Sequence, residues 1–357
     1  MPARKIANRD ALDQEDTRPS RARRALLTGS ALSLAAVAGS TLVGTQPASA
    51  AQTQPVTALL PSGDTSGKTD SANISNAFAA LPVVTDTDTG LPYSVGSVLL
   101  GPGNFYVNAQ ITKPPKADLI GSGPGTVIFV VGSITGIYSH HGATSGPKQH
   151  ATKSGTIANL VVDGTKALAN SIGIDVGDGW GHRIDHVWVN NFTGTSAIGL
   201  SVCNRQFWTE KLVARHVTLV NNTTAVQHWL SGGAFSQEYQ DVEYYIWVEP
   251  DQNGIIVEGV GWNGSMRVRG NIMKGAGGNA VITLKAGSGN NAAMHGFFDI
   301  STEVNGTGAL NPASISFGDA SQGPFAGTGF LRFTGGQTNA APGQFQFRGM
   351  VIEGNST

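Results

Sequence analysis

Two stretches of the chain repeat one pattern at a fixed distance. Ile172-Gly173-Ile174-Asp175-Val176-Gly177-Asp178 aligns with Ile198-Gly199-Leu200-Ser201-Val202-Cys203-Asn204, 26 residues further on. Alternate apolar residues mark a strand with one buried face. Gly254-Ile255-Ile256-Val257-Glu258 and Ala280-Val281-Ile282-Thr283-Leu284 are later copies. A second strand recurs beside the first: Asn159 to Asp163, His186 to Asn190, His216 to Asn221 and Met266 to Asn271 share apolar alternation followed by a polar turn. A unit of about 25 residues with two or three short strands and no helix between them cannot bury its own apolar stripe. Stacking the units closes the hydrogen-bond ladder and buries a continuous core. The repeat therefore predicts an all-β parallel solenoid.

Composition agrees. The chain has 48 glycines in 357 residues, about twice the usual share of roughly 7%. Only 13% of residues are charged, too few for a helical bundle or coiled coil, and 40% are hydrophobic, too many for a disordered chain. A single cysteine excludes a disulfide scaffold or a thiolate zinc site. Cys203 flanks an apolar strand and reads as a buried thiol. A net charge of −1 gives no whole-chain attraction to nucleic acid.

Residues 1–50 read as an address. Arg23-Arg24 precede an uncharged, mildly apolar run that closes on Ala48-Ser49-Ala50, the small-residue pattern of a cleavage site. Paired arginines before a weak apolar run are similar to a bacterial twin-arginine signal. The expected product is secreted, extracellular and free of membrane. Residues 51–62 form a linker, and 63–357 form the solenoid domain. Within it, Ile74, Ala77, Phe78 and Leu81 fall at helical spacing, with Asp70 or Ser71 as the expected cap. This short N-terminal helix should cover the open end of the stack, where unpaired strand edges are a hazard.

The opening, Gly63-Asp64-Thr65 with Thr69-Asp70, the helix, then Leu99-Leu100-Gly101-Pro102-Gly103-Asn104-Phe105-Tyr106-Val107, resembles the start of pectate-lyase-superfamily proteins. Phe235 to Asn271 also resembles β-helical tail proteins of actinobacterial phages. The resemblance implies a single-stranded right-handed parallel β-helix, the architecture of polygalacturonases, pectin lyases and phage tailspikes. It implies a monomer or a homotrimer. It does not bring catalytic residues with it. The chain has no Asn-Thr-Asp, Asp-Asp or Arg-Ile-Lys of the polygalacturonases, and no Arg-x-Pro-x-x-Arg of the pectate lyases.

Strand alternation assigns outward positions. With Ile172, Ile174 and Val176 inward, Asp175 faces out, followed in the stack by Ser201, Trp229, Glu258 and Thr283 or Lys285. With Val187 and Val189 inward, His186 and Trp188 face out, then His216 and Thr218, then Arg267 and Arg269. Three groups could carry chemistry. Asp175, Asp178, His182, Arg183 and Asp185 surround a Gly-rich turn. Glu238, Asp241 and Glu243 share a segment with Tyr245 and Trp247, the makings of a sugar subsite. His140, His141 and His150 lie in what reads as a loop tip without a metal-binding pattern. Asp86 and Asp88 before Gly90 only faintly suggest calcium, so no cofactor is expected.

Two functions follow from this reading. One is a carbohydrate-active enzyme that cleaves a polysaccharide along the solenoid. Hydrolysis would draw a carboxylate pair from Asp175, Asp178, Asp185, Glu238, Asp241 or Glu243. Elimination would use His186 or His216 as base, with Arg267 or Arg269 neutralising a sugar carboxylate. The other function is a non-catalytic glycan-binding or structural β-helix of the phage-tail kind.

Overall fold

A computed structural model of the protein describes residues 57–140 except 86, 88, 89 and 91, then 154–205, 208–230, 239–260, 264–274, 282–286, 293–304, 315–317 and 326–334. The leader, Asp86, Asp88, His141, His150 and Glu238 lie outside these residues. Among the described residues no helix is long and apolar enough to cross a membrane.

The fold is the expected parallel β-helix. Among the described residues seventeen strands join one sheet, paired in parallel from coil to coil. The 26-residue offset is a true structural period: Ile172 pairs with Ile198, Ile174 with Leu200 and Val176 with Val202. Three walls run along the stack. In the first, Val98, Leu119, Ile157, Ile184, Ala214, Tyr244 and Val268 lie in one register and are all buried. The second stacks Phe105, Ile128, Val162, Val189, Leu219, Val248 and Ile272. The third begins with Ile111, Ile137, Ile174, Leu200, Val226, Ile255 and Ile282. Each buried apolar residue packs on another apolar residue one coil away, so the apolar column is continuous along the stack.

Where a wall ends, the chain must turn sharply without breaking the ladder. Asn159, His186 and His216 make that turn between the first and second walls, with left-handed φ of 55°, 53° and 53°. Asn and His adopt this conformation more readily than most residues. Asn191 and Asn221 do the same after the second wall, at φ 66° and 55°. Their side chains form an external ladder. Asn221 Nδ2 donates to Asn191 Oδ1 at 3.0 Å, and Asn191 Nδ2 to Asp163 Oδ2 at 2.9 Å. Inside the same corner, buried Asn222 donates to the Val189 carbonyl (2.8 Å) and accepts from the Phe192 amide (3.1 Å). Each coil thereby fixes the turn of the one before it.

One interior position breaks the aliphatic rule. Tyr244 stands over Ala214, whose small side chain leaves room for the ring. The Tyr244 hydroxyl hydrogen-bonds to His228 Nε2, and both residues are buried. Burial pushes the Tyr244 hydroxyl pKa well up and holds His228 down to about 3, so both are neutral.

The capping helix spans Lys68–Ala79 and buries Ile74 and Phe78 against the first coil. Neither Asp70 nor Ser71 caps it. The helix begins at Gly67, where a Cβ would meet the Asn108 amide at 2.7 Å, and Asp64 Oδ2 receives the first-turn N–H of Thr69 at 2.9 Å. Asp70 and Ser71 instead reach outward from the helix. The buried Asp70 carboxylate accepts from the amides of Ser62 and Tyr106, both at 2.9 Å. Ser71 Oγ accepts from Asn108 (3.0 Å) and Ala109 (3.2 Å). These bonds occupy backbone donors that have no coil before them.

The Asp70→Ala variant strands two amides in a buried place. It should lower unfolding free energy by about 2–4 kcal/mol in urea denaturation, whereas Asp64→Ala, on the exposed side of the same turn, should cost clearly less.

Candidate functional site

The outer surface of the corner between the first and second walls is concave. Its groove has a volume of about 490 Å³ and is lined by His186, Trp188, His216, Thr218, Tyr245 and Trp247, with Asn159 and Asn271 at its ends. The positive-φ corner explains the concavity: the chain folds back at His186 and His216, so the two walls flank a shared hollow. Trp188, Thr218, Trp247 and Asn271 occupy one register position in successive coils. Trp188 and Trp247 are therefore two rungs apart, about 10 Å. Both indoles are about half exposed, at 47% and 44%, as is Tyr245 at 50%. Three large aromatic surfaces on one groove are unusual on a soluble face and mark a binding surface.

Just before the corner, in the first-wall strand, Asp185 joins the two histidines. Its Oδ1 accepts from Nδ1 of His186 (2.9 Å) and from Nδ1 of His216 (3.0 Å). The two rings lie against each other, tilted by 32°, with centroids 4.2 Å apart. Partial burial alone would raise the Asp185 pKa, but the hydrogen bond from His216 and the charge of His186 bring it below the ordinary range. Both Nδ1 atoms face a carboxylate and so carry protons, which leaves each Nε2 with a lone pair directed away from Asp185.

Glu243 lies in another column of the first wall, with Arg183 and Arg267. Arg215 Nη2 donates to its Oε2 at 3.0 Å, and Arg267 Nη1 lies 3.9 Å from Oε1. Arg269 follows Asp185, Arg215 and Tyr245 in the adjacent column. Arg267 and Arg269 are thus not the next rungs after His186 and His216, as the spacing suggested, but belong to the first wall. The alternation expected for Asp241 to Trp247 holds: Val242, Tyr244 and Ile246 are buried, while Asp241, Tyr245 and Trp247 are exposed and Glu243 is half-buried. Asp241 is a bend residue just before the strand Val242–Val260, outside the groove lining, and Arg183 is exposed on the first wall.

The Asp175 cluster departs from expectation. Asp175 occupies an outward register position, yet it is fully buried, because other side chains cover it. Arg205 Nη2 donates to Oδ2 at 2.6 Å, Ser201 Oγ donates to Oδ1 at 2.7 Å, and His140 Nε2 lies 3.2 Å from Oδ1. Asp178, also buried, lies 3.4 Å from His140 Nδ1 and accepts from the Arg205 amide at 2.8 Å. Tyr138 stacks on His140 at 4.4 Å, and the Arg205 guanidinium lies 5.8 Å from the Tyr138 ring centroid and 5.3 Å from that of Trp229. Burial works against the His140 charge, but the two carboxylates outweigh it and raise its pKa. Burial likewise opposes the Asp175 charge, and His140 with Arg205 lowers its pKa regardless. His182 is buried as well, bonded to the Gly177 carbonyl at 3.0 Å. Burial, then the nearby Lys113 and His140, hold its pKa at about 3. Asp175 and Asp178 thus form an internal ion network with His140 and Arg205, closed to a polymer in this arrangement, and His182 is a buried neutral neighbour. The outward column also runs differently from the spacing: after Ser201 come Gln227, Ile256 and Thr283, not Trp229 and Glu258. Trp229 still reaches Ser201, donating from Nε1 at 2.8 Å.

Sequence reasoning missed Arg205, and it read His140 as part of a loop tip, whereas the His140 side chain is buried at the end of a strand against Asp175 and Asp178. His140 ends a strand, Thr135–His140, and pairs with Gly177. Its strand is separated from the next copy by 37 residues instead of 26, so the repeat did not reveal it. Cys203 is buried, as expected.

Fold and groove together define the molecule as a parallel β-solenoid with an aromatic-lined corner. No known protein family matches the chain, and no curated protein does. Among solved structures it is similar to ORF18 of Geobacillus virus E2, at 11% identity and a TM-score of 0.29 over 75% of this chain and 58% of that one. The chain thus spans less than two thirds of that viral protein. It is also similar to the A-module of the Azotobacter vinelandii mannuronan C-5 epimerase AlgE4, at 14% identity and a TM-score of 0.21 over 75% of this chain and 95% of that one. At these values no residue role is carried from either protein to this one.

The His140 cluster has a signed pH signature. A histidine pKa raised by folding adds stability below the unfolded value of about 6.5, and that stability is lost as pH rises through the folded value. His140→Gln should therefore destabilise more at pH 6 than at pH 9 in matched urea titrations. His228, held at about 3, has the opposite sign. Its neutral state favours folding above about 6.5 and is penalised as pH falls toward 3, so His228→Gln should flatten the acid limb of the stability profile.

Proposed function

We propose that the protein is a secreted, carbohydrate-active β-helix that lays an extended acidic polysaccharide along the corner groove and cleaves it there by elimination. The observation that carries this reading is the convergence of Trp188, Tyr245 and Trp247, each about half exposed, on one groove beside a His–Asp–His group. Sugar rings stack on aromatic faces, and the spacing of the two indoles, about 10 Å, suits residues of one chain seated on successive rungs. Asp185 holds each Nδ1–H, so an Nε2 of His186 or His216 is available to take the proton beside a uronate carboxylate. Arg267 and Arg269, exposed on the flanking wall, supply positive charge for that carboxylate. Export would follow the twin-arginine leader.

Hydrolysis has less support. Asp175 and Asp178 are buried in ion pairs, and Glu243 is engaged by arginine. The same commitments favour a second reading, binding without turnover, since no two unpartnered carboxylates flank the groove among the described contacts.

Incubation with a panel of acidic and neutral polysaccharides distinguishes these readings. Elimination gives an unsaturated product that absorbs in the ultraviolet and is lost in His186→Asn with His216→Asn. Hydrolysis gives reducing ends without that absorbance. Binding alone gives neither. Trp188→Ala and Trp247→Ala should each weaken glycan association about tenfold, from about 1–1.5 kcal/mol of lost stacking. Unchanged affinity in both variants would remove the groove from the account.

A further inference from the structure

We infer that Asp185, His186 and His216 form a binding site for a divalent transition-metal ion of the zinc class. One ligand atom from each residue lies within 4.8 Å of the others. The closer distances make the case. Two donors bound tetrahedrally at about 2.0 Å from one zinc ion sit about 3.3 Å apart. Nδ1 of His186 and Nδ1 of His216 lie 2.9 and 3.0 Å from Asp185 Oδ1, within a few tenths of that edge. The donors need only open slightly around an ion that replaces the shared hydrogen bonds.

The fold supplies the preorganisation. His186 and His216 are 30 residues apart in sequence but hold the same left-handed corner in adjacent coils, with φ of 53° at each. Asp185 precedes the corner, in the regular part of the strand, where it pairs with Arg215. Two imidazoles and one carboxylate suit zinc, copper or nickel. Calcium and magnesium prefer all-oxygen sets and fit poorly. Three protein ligands leave coordination positions for water or a ligand oxygen, and both imidazoles line the groove, so those positions are next to it.

The proton balance is simple. A neutral imidazole moves its proton from Nδ1 to Nε2 and gives the Nδ1 lone pair to the metal. A protonated one loses a single proton to solvent. Protons compete with the metal for the imidazole nitrogens, so affinity falls as the pH is lowered. An imidazole that binds metal through Nδ1 carries its proton on Nε2 and cannot serve as a base. The metal and the elimination chemistry proposed above exclude each other on any one ring, so zinc inhibits that reaction where it occurs.

The test needs no glycan, so its failure is separate from failure of the elimination reading. The full chain, stripped with a chelator, is titrated with zinc chloride by calorimetry at pH 7.5 and again at pH 5.5. The expected result is one saturable site per chain at micromolar or tighter affinity, weakened at least tenfold at the lower pH. His186→Asn, His216→Asn and Asp185→Asn should each weaken it at least tenfold. Asparagine already fills this corner in the preceding coil, at Asn159, so both histidine variants keep a tolerated backbone. Asp185→Asn leaves the corner untouched and serves if they do not fold. Absence of saturable zinc binding in the wild type overturns the inference. So does wild-type affinity in the folded variants, which would assign the zinc to other histidines of the chain.

Discussion

Every feature of this molecule depends on the parallel ladder that sets one coil directly over the next. The strands here are not stable alone. Their backbone groups are satisfied because each coil gives its donors and acceptors to the coils on either side. The same ladder aligns side chains. Ile174 on Leu200 on Val226 inside, and Trp188 on Thr218 on Trp247 outside, are consequences of one register. The ladder also creates an end, and there the chain spends a buried aspartate, Asp70, and Ser71 on the exposed amides of the first coil.

The ladder turns sequence distance into contact. Asp185 meets His216, 31 residues away, and Asp175 meets Arg205, 30 residues away. Neither group could form within one coil. The two clusters differ in what covers them. Asp175 lies under His140, Arg205, Ser201 and their aromatic neighbours and holds the coils together as an internal ion network. Asp185 lies at a concave corner with its histidines largely exposed and can meet a ligand. Burial separates a structural carboxylate from one available for chemistry, although both face outward in strand register.

Much of this was legible in the sequence. The 26-residue repeat named the register of two strands correctly, and alternation sorted Val242, Tyr244 and Ile246 from Asp241, Tyr245 and Trp247. Exposure of His186, Trp188 and His216 followed from the same rule. Failures arose where coil length varies. Arg267 and Arg269 were aligned with the histidine strand because the left-handed corner residue, which shifts the count by one, leaves no mark in the apolar pattern. Trp229 and Glu258 were placed two positions from the true column for a related reason: the turns between walls differ in length. Burial of Asp175 could not be read from its own strand, because the atoms that cover it come from Thr135–His140 and from Arg205. Alternation tells which way a side chain points and not what lies above it.

Coil-on-coil register can be tested with fluorescence. Trp188 and Thr218 occupy paired outward positions in adjacent coils, and the native Cys203 is buried. Cysteines placed at 188 and 218 and labelled with pyrene maleimide should give strong excimer emission from the folded protein. That emission should vanish in urea and be absent from either single-cysteine variant. Monomer emission alone from the folded, doubly labelled chain would mean that these strands are not neighbours, and the groove, the histidine pair and the ion network would all lose their basis.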